Sequence, residues 1–244
     1  MIRVKDLTCG YERSVLKAVS FTSKHNLVIL GANGAGKSTL AKALCGLLEA
    51  EGEIEINQEK LSELTPKERA KSITYIPPKL ESYDRHITLF EFVLMGRHPY
   101  KSPFSNYTQE EQAYVRSLLE QTSLDLEQKL GTLSSGQQQL LLITQALAQE
   151  SKVILFDEPT ANLDPKHALD FYRQLKNLDK TTQKVVITHD INLAFSLEYE
   201  VLFIQDGHAV HYKEPRDFFT PANLHNCYGV TFTHSGSMFG IQYA

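Results

Sequence analysis

Three short apolar runs rich in β-branched residues, at 27–30, 153–156 and 185–188, each lead into a loop and then into a helical pattern. Such an alternation predicts a parallel sheet covered by helices. After the first run, Leu40, Ala43, Leu44 and Leu47 recur at i, i+3, i+4 and i+7, a spacing that gathers them on one helix face for packing on the sheet. The N-terminal part reads differently. Polar and apolar residues alternate over 2–7 and 53–56, which predicts antiparallel strands flanking the main sheet. Near the other end, Asp206-Gly207 stands between two apolar runs and predicts a two-residue hairpin turn.

From about residue 77 to residue 150 the strand signals give way to helix starts. Thr65 with Glu68, Thr88 with Glu91 and Thr108 with Glu111 each fit the capping box, in which a Thr and a Glu three residues on satisfy free N–H groups at a helix start. The latter two pairs fall inside an expected helical insertion. No internal repeat or low-complexity tract interrupts the pattern. The fold expected is therefore α/β and a single domain over 1–244. Its mostly parallel core, with flanking antiparallel strands, comes from 1–76 and 151–244, and a helical subdomain is inserted over 77–150.

Charge and composition narrow what such a domain does. With 25 basic against 29 acidic side chains the net charge is -4, so no bulk positive field invites nucleic acid, and none is expected as a partner. No apolar run approaches the roughly 20 residues that cross a bilayer, and the first residues lack the apolar stretch of a secretory signal, so the cytosol is the expected location. Cys9, Cys45 and Cys227 are scattered and form no CxxC pair, which argues against a disulfide framework and a zinc site.

Specific chemistry enters with residues 31–38. They read GANGAGKS, a full match to GxxxxGK[ST], directly after a predicted strand and before a predicted helix. Gly31, Gly34 and Gly36 let the loop wrap closely, so that N–H groups from Asn33, Ala35 and their neighbours through Thr39 can face phosphate oxygens, while the new helix aims its positive end at the same charge. Lys37 reaches the β- and γ-phosphates in this reading, and Ser38 offers its hydroxyl to Mg²⁺. A plain Gly-rich turn is the alternative, and Lys37 and Ser38 standing in register argue against it. The core is thus expected to be of the P-loop NTPase type. A second apolar run ends in Asp157 and Glu158, which fit a Mg²⁺ partner and the base for the attacking water; alone, two such acids are as readily helix caps or solvated groups.

Between these elements Leu133-Ser134-Ser135-Gly136-Gln137 opens a predicted helix, and here the sequence resembles the ABC ATPases, whose signature reads LSGGQ. The order of phosphate loop, helical region, signature, acid pair, Asp164 and His189 carries the likeness, which extends from Ile2 to about Val230. The resemblance implies that Ser134 and Gly136, with Ser135 and Gln137 beside them, contact the γ-phosphate of ATP held by a second copy, so that catalysis needs a dimer. It further implies that Asn162-Leu163-Asp164 is the loop connecting the two sites, although Asp164 before Pro165 also reads as a helix N-cap. His189 matches the switch histidine that contacts the γ-phosphate and helps hold Glu158 and water, and Tyr11 resembles the aromatic that stacks on adenine, though its chemistry alone favours a core or turn position. The other histidines, including His208 and His211, cluster into no metal site.

Departures from the family pattern are specific. Pro78 stands where the family carries a glutamine, and proline offers neither a side-chain amide nor an N–H; Lys79 or a shifted residue is left to substitute. Ser135 replaces a glycine, and Gln138, Gln139 and Leu140 stand where many relatives carry arginine. The segment 92–100, FVLMGRHPY, with DGHAV at 206–210 and Tyr228-Gly229, is similar to ATPases of iron-siderophore, heme and cobalamin uptake systems. That resemblance implies a separate integral-membrane permease docking near Pro78 and residues 89–97, a substrate-binding protein in the full system, and a peripheral position on the inner face of the membrane. The same residues 89–97 also read as an amphipathic helix covering its own domain. Two rival functions are a soluble ABC ATPase outside transport, for which the chain lacks a second cassette or sustained heptads, and a regulatory module that binds ATP without turnover, which Glu158 speaks against.

Overall fold

A computed structural model describes residues 1–80, 85–161, 163–236 and 238–242. The chain forms two compact units, Met1–Glu63 with Gln183–Ala244, and Leu64–Thr182.

The first unit opens with β1 (Ile2–Gly10) and β2 (Ser14–Ser23), which pair antiparallel, and β3 (Leu27–Gly31), whose side chains are all buried. Helix α1 (Lys37–Leu44) follows, then β4 (Ala50–Ile56), antiparallel to β1, and β5 (Glu59–Lys60). Leu40, Ala43 and Leu44 are buried as the pattern predicts, but Leu47 is not on their face. It lies beyond the helix and is 65% exposed. Gly46 takes φ +64°, and the Gly46 and Leu47 N–H groups turn back to the carbonyl oxygens of Ala43 and Lys42 at 2.9 and 2.8 Å. This Schellman ending closes α1 before the fourth apolar residue arrives.

The second unit comprises α2 (Pro66–Ser72), β6 (Ile73–Ile76), α3 (Leu89–Leu94), α4 (Gln109–Glu120), α5 (Ser135–Gln149), β7 (Val153–Asp157) and α6 (Pro165–Asn177). Strands β6 and β7 run parallel, Tyr75 opposite Leu155. No strand lies among the described residues from 77 to 150. All three expected capping boxes form: Thr65, Thr88 and Thr108 accept from the N–H of Glu68, Glu91 and Glu111, whose carboxylates accept from the Thr N–H in return.

The chain then completes the first unit with β8 (Gln183–Ile187), α7 (Ile191–Leu197), β9 (Glu200–Gln205) and β10 (His208–Tyr212). Short helices α8 (Pro215–Phe218) and α9 (Pro221–Tyr228) lead to β11 (Phe232–Ser235) and β12 (Met238–Ile241). Strand β3 is parallel to both β8 and β9, and β9 pairs antiparallel with β10 across the expected Asp206-Gly207 turn. Strands β3, β8 and β9 are buried almost throughout and carry the apolar runs that burial on both faces demands, whereas no residue of β10 is fully buried. Beyond Thr231, where the sequence is uninformative, β11 and β12 pair antiparallel, Phe232 opposite Ile241 and Ser235 opposite Met238. No helix among the described residues is long and apolar enough to cross a membrane.

Candidate functional site

In the first unit, β3 delivers the chain into the glycine-rich loop and α1 carries it away. Gly34 and Gly36 take φ +80° and +106°, left-handed values that a side chain would strain, and Gly36 is itself the N-cap of α1. No side chain caps α1 and no acid stands in its first turn. A helix start leaves its leading N–H groups without intrahelical partners, which suits this one to an anionic ligand. Lys37 is buried, with Nζ donating to the carbonyls of Gly31 at 2.9 Å and Ala32 at 3.1 Å, so its ammonium is held over the loop. Asn33, Gly34 and Ser38 are exposed, Ala35 is half-buried and Thr39 is buried.

Tyr11 belongs to the same unit and is 64% exposed in the turn between β1 and β2. Lys42 of α1 donates to its hydroxyl at 3.1 Å. Of the three readings the sequence offers, stacking aromatic, core and turn, core is excluded. His189, two residues past β8, is exposed, while Asp190 after it caps α7 by accepting from the N–H groups of Asn192 and Leu193 at 2.9 and 3.0 Å.

The second unit holds the acids. Asp157 ends β7 and is 2% exposed. Its Oδ2 accepts from the Tyr75 hydroxyl at 2.7 Å, whereas its Oδ1 is buried and has no hydrogen-bond partner among the described residues. An unsatisfied buried carboxylate oxygen at a strand end is a fit for a divalent cation or a water bound to one. Glu158 takes φ +47°, a left-handed conformation that is rare outside glycine and is a form of backbone strain found at functional sites.

At the start of α5, Ser134 is the N-cap: its Oγ accepts from the Gln137 N–H at 3.3 Å, and Gln137 Oε1 accepts from the Ser134 N–H at 3.0 Å. This fourth capping box holds the signature loop in shape while Ser134 and Ser135 stay exposed. Asp164 is the N-cap of α6, with Pro165 following it, and Asn162 before it lies outside the described residues. Its carboxyl is held below the usual carboxylate range, first by the backbone N–H of His167 and then by its ring. Pro78 borders a small cleft that the α5 residues Ser135, Gln138 and Gln139 also line.

Sequence reasoning gave no role to Tyr75 or His167. The parallel register of β6 on β7 brings Tyr75 to Asp157, and no local motif announces that. His167 stands three residues after an Asp-Pro helix start, a spacing that would have signalled a cap partner.

The profile of the ABC transporter family matches residues 16–161. The chain belongs to the ABC transporter family. It is similar to the ferric enterobactin transport ATP-binding protein FepC of Escherichia coli (strain K12), 30% identical over 237 residues that cover 94% of this chain and 87% of that protein. Among solved structures, a metal-chelate type ABC transporter in an inward-facing conformation matches with a TM-score of 0.81 and 25% identity, over 100% of this chain and 96% of that one. A dimeric ATP-binding cassette in a post-hydrolysis state, bound to ADP and Pi, matches with a TM-score of 0.74 and 28% identity, over 88% and 99%. The fold is the α/β P-loop NTPase type, the activity is that of an ATPase, and ATP with Mg²⁺ is what it uses.

The importer-like segment 92–100 of this ABC ATPase is largely consumed by its own unit. Leu89, Phe92 and Val93 are fully buried. Arg97 donates to the Ala148 carbonyl at 2.8 Å and to Glu150, and its guanidinium lies 4.0 Å from the Tyr100 ring centroid. Gly96 permits the approach to α5, since a methyl there would stand 2.6 Å from the Gln145 carbonyl oxygen. Met95 and Tyr100 remain partly exposed. The three cysteines are free, and burial pushes the Cys45 thiol up to about 12. Among the described residues no cluster of His, Cys, Asp and Glu could hold a metal ion by itself.

Proposed function

We propose that this ABC ATPase powers import of an iron-siderophore, heme, cobalamin or similar metal complex, with two copies closing around Mg-ATP beneath a separate integral-membrane permease. The nucleotide reading is carried by Asp157, whose buried Oδ1 has no hydrogen-bond partner among the described residues, and is supported within the other unit by the uncapped helix start behind the glycine loop. The importer reading is supported by likeness to the ferric enterobactin protein and to the metal-chelate type transporter.

In this reading Tyr11 stacks on adenine, the loop from Gly31 to Thr39 cradles the phosphates, and Lys37 offsets their charge. Ser38 and Asp157 hold Mg²⁺, which neutralises charge as the γ-phosphoryl leaves. Glu158 takes the proton of the attacking water, and His189 orients that water and Glu158. Ser134, Ser135, Gly136 and Gln137, with Asp164, complete the site of the other copy, so neither copy hydrolyses ATP alone. Residues 77–150 act as the helical subdomain and meet the permease near Pro78 and 89–97, which keeps the chain on the inner face of the membrane. A substrate-binding protein delivers the solute, and no nucleic acid takes part.

Phosphate release and oligomeric state in Mg-ATP, native protein against Glu158→Gln, test this. Expected are turnover in the native protein and an ATP-trapped dimer with little hydrolysis in the variant. A native protein that binds ATP yet stays monomeric and idle, with and without its permease, would sink the proposal. Importer function is tested by uptake of ferric siderophore, heme or cobalamin into cells lacking the chain.

A further inference from the structure

Helices α5 and α6 meet at a contact that neither the signature nor the acid pair explains. His167, in the first turn of α6, reaches back to Asp164. Its backbone N–H donates to Oδ1 at 3.0 Å and its ring Nδ1 lies 2.8 Å from Oδ2. An ionised carboxylate only accepts, so the ring proton sits on Nδ1. One residue thereby holds both oxygens of Asp164.

The same ring lies on Gly136. A methyl at Gly136 would stand 2.6 Å from ring Cδ2, 2.9 Å from Cγ and 3.0 Å from Nε2, the first two closer than carbon atoms approach in a folded protein. Gly136 lies within α5, where any residue has a suitable backbone and glycine is among the poorest helix formers. Its advantage in this fold is room for the ring. Nor can the ring swing away freely, because that breaks its bond to Asp164. The cap of α6 does not need the ring at all, since the His167 backbone N–H already satisfies Oδ1.

We infer that His167 is a positioning residue of the shared nucleotide site: it joins the Asp164 carboxylate to the opening turn of α5, so that Ser134, Gly136 and Asp164 are presented to the nucleotide of the second copy as one body. This rests on the proposal above that these three residues face that nucleotide. It adds a second reason for the signature glycine, internal to the chain and independent of close approach to phosphate. It also assigns the two nitrogens of the ring different tasks. Nδ1 orients Asp164, and the Nε2 edge sets the spacing to α5.

The test is a double-mutant cycle in the Glu158→Gln background, reading the ATP concentration that half-saturates the dimer, with ATP affinity of the dilute monomer as the control for folding. Gly136→Ala is expected to raise the half-saturating concentration about tenfold, and to change it less than about threefold once His167→Ala has removed the ring. His167→Asn supplies an amide N–H near the place of Nδ1 without the far edge of the ring, so it should dimerise better than His167→Ala and also tolerate Gly136→Ala. Monomer affinity should be the same in every variant. An equal cost of Gly136→Ala in both backgrounds would show that the nucleotide demands the glycine, and would overturn the inference while leaving the shared site intact. So would a His167→Asn no better than His167→Ala. Failure of Glu158→Gln alone to dimerise with ATP would instead overturn the shared site, and this inference with it.

Discussion

The hydroxyl of Tyr75 donates to Oδ2 of Asp157 across 2.7 Å, from one parallel strand to the next, while Oδ1 of the same carboxylate is buried without a partner among the described residues. The bond fixes which oxygen is free. A hydrogen bond to a charged group contributes about 1.5–3 kcal/mol, and here it is spent on aiming Oδ1. Tyr75→Phe should therefore raise the Mg²⁺ concentration for half-maximal phosphate release by about tenfold, with little change in rate at saturating Mg²⁺. A Mg²⁺ titration of both proteins checks this. An unchanged midpoint would mean that the strand alone sets the carboxylate.

Glu158 sits at φ +47°, where a residue with a Cβ is strained by about 1 kcal/mol relative to glycine. Replacing it by Gly or by Ala removes the carboxylate equally, so both variants should lose hydrolysis. They should differ in stability: Glu158→Gly is expected to unfold at higher denaturant than Glu158→Ala, by about 1 kcal/mol. Equal midpoints would place no strain at this position.

How much of this was legible beforehand depends on range. The strand–loop–helix placement of the glycine-rich loop, the three Thr–Glu capping boxes and the Asp206-Gly207 turn are decided within a few residues, and each forms as the sequence predicts. Leu47 failed because a helical period says where apolar residues fall and not where Gly46 ends the helix. The Tyr75–Asp157 and Gly136–His167 contacts join residues 82 and 31 positions apart, and only strand register and helix packing bring them together. The tail escaped because its anchor, Asn192, lies far upstream of the hairpin it holds.

The low pKa of Asp164 has a definite consequence for pH. Because its folded value lies below the ordinary 3.8, the ionised cap contributes stability that is fully present above 3.8 and is lost only as pH falls through the lower folded value. The stability difference between the native protein and Asp164→Asn should therefore stay flat from about pH 5 to 8 and narrow only under strongly acid conditions. Thermal unfolding across that range measures it. A difference that stays flat even into strongly acid conditions would mean the carboxylate is not held by His167.

The C-terminal hairpin is docked by one side chain acting on both polar groups of one peptide position. Asn192 of α7 donates Nδ2 to the Phe239 carbonyl at 3.1 Å and accepts at Oδ1 from the Phe239 N–H at 2.7 Å, which mimics a strand pairing along this edge of β12. Around it the Phe239 ring packs edge-on to Phe195 at 5.1 Å and stacks with His234 at 4.4 Å. Removing the amide strands two backbone groups beside an aromatic cluster, so Asn192→Ala should cost about 2 kcal/mol or more. Asn192→Asp keeps the acceptor and loses the donor, and should fall between the native protein and Ala. Hydrogen exchange at the Phe239 amide separates this local effect from a general one. It should accelerate in Asn192→Ala well before amides of β3 and β8 do, because the hairpin can open while the parallel strands remain closed. Uniform acceleration would mean instead that α7 as a whole depends on Asn192.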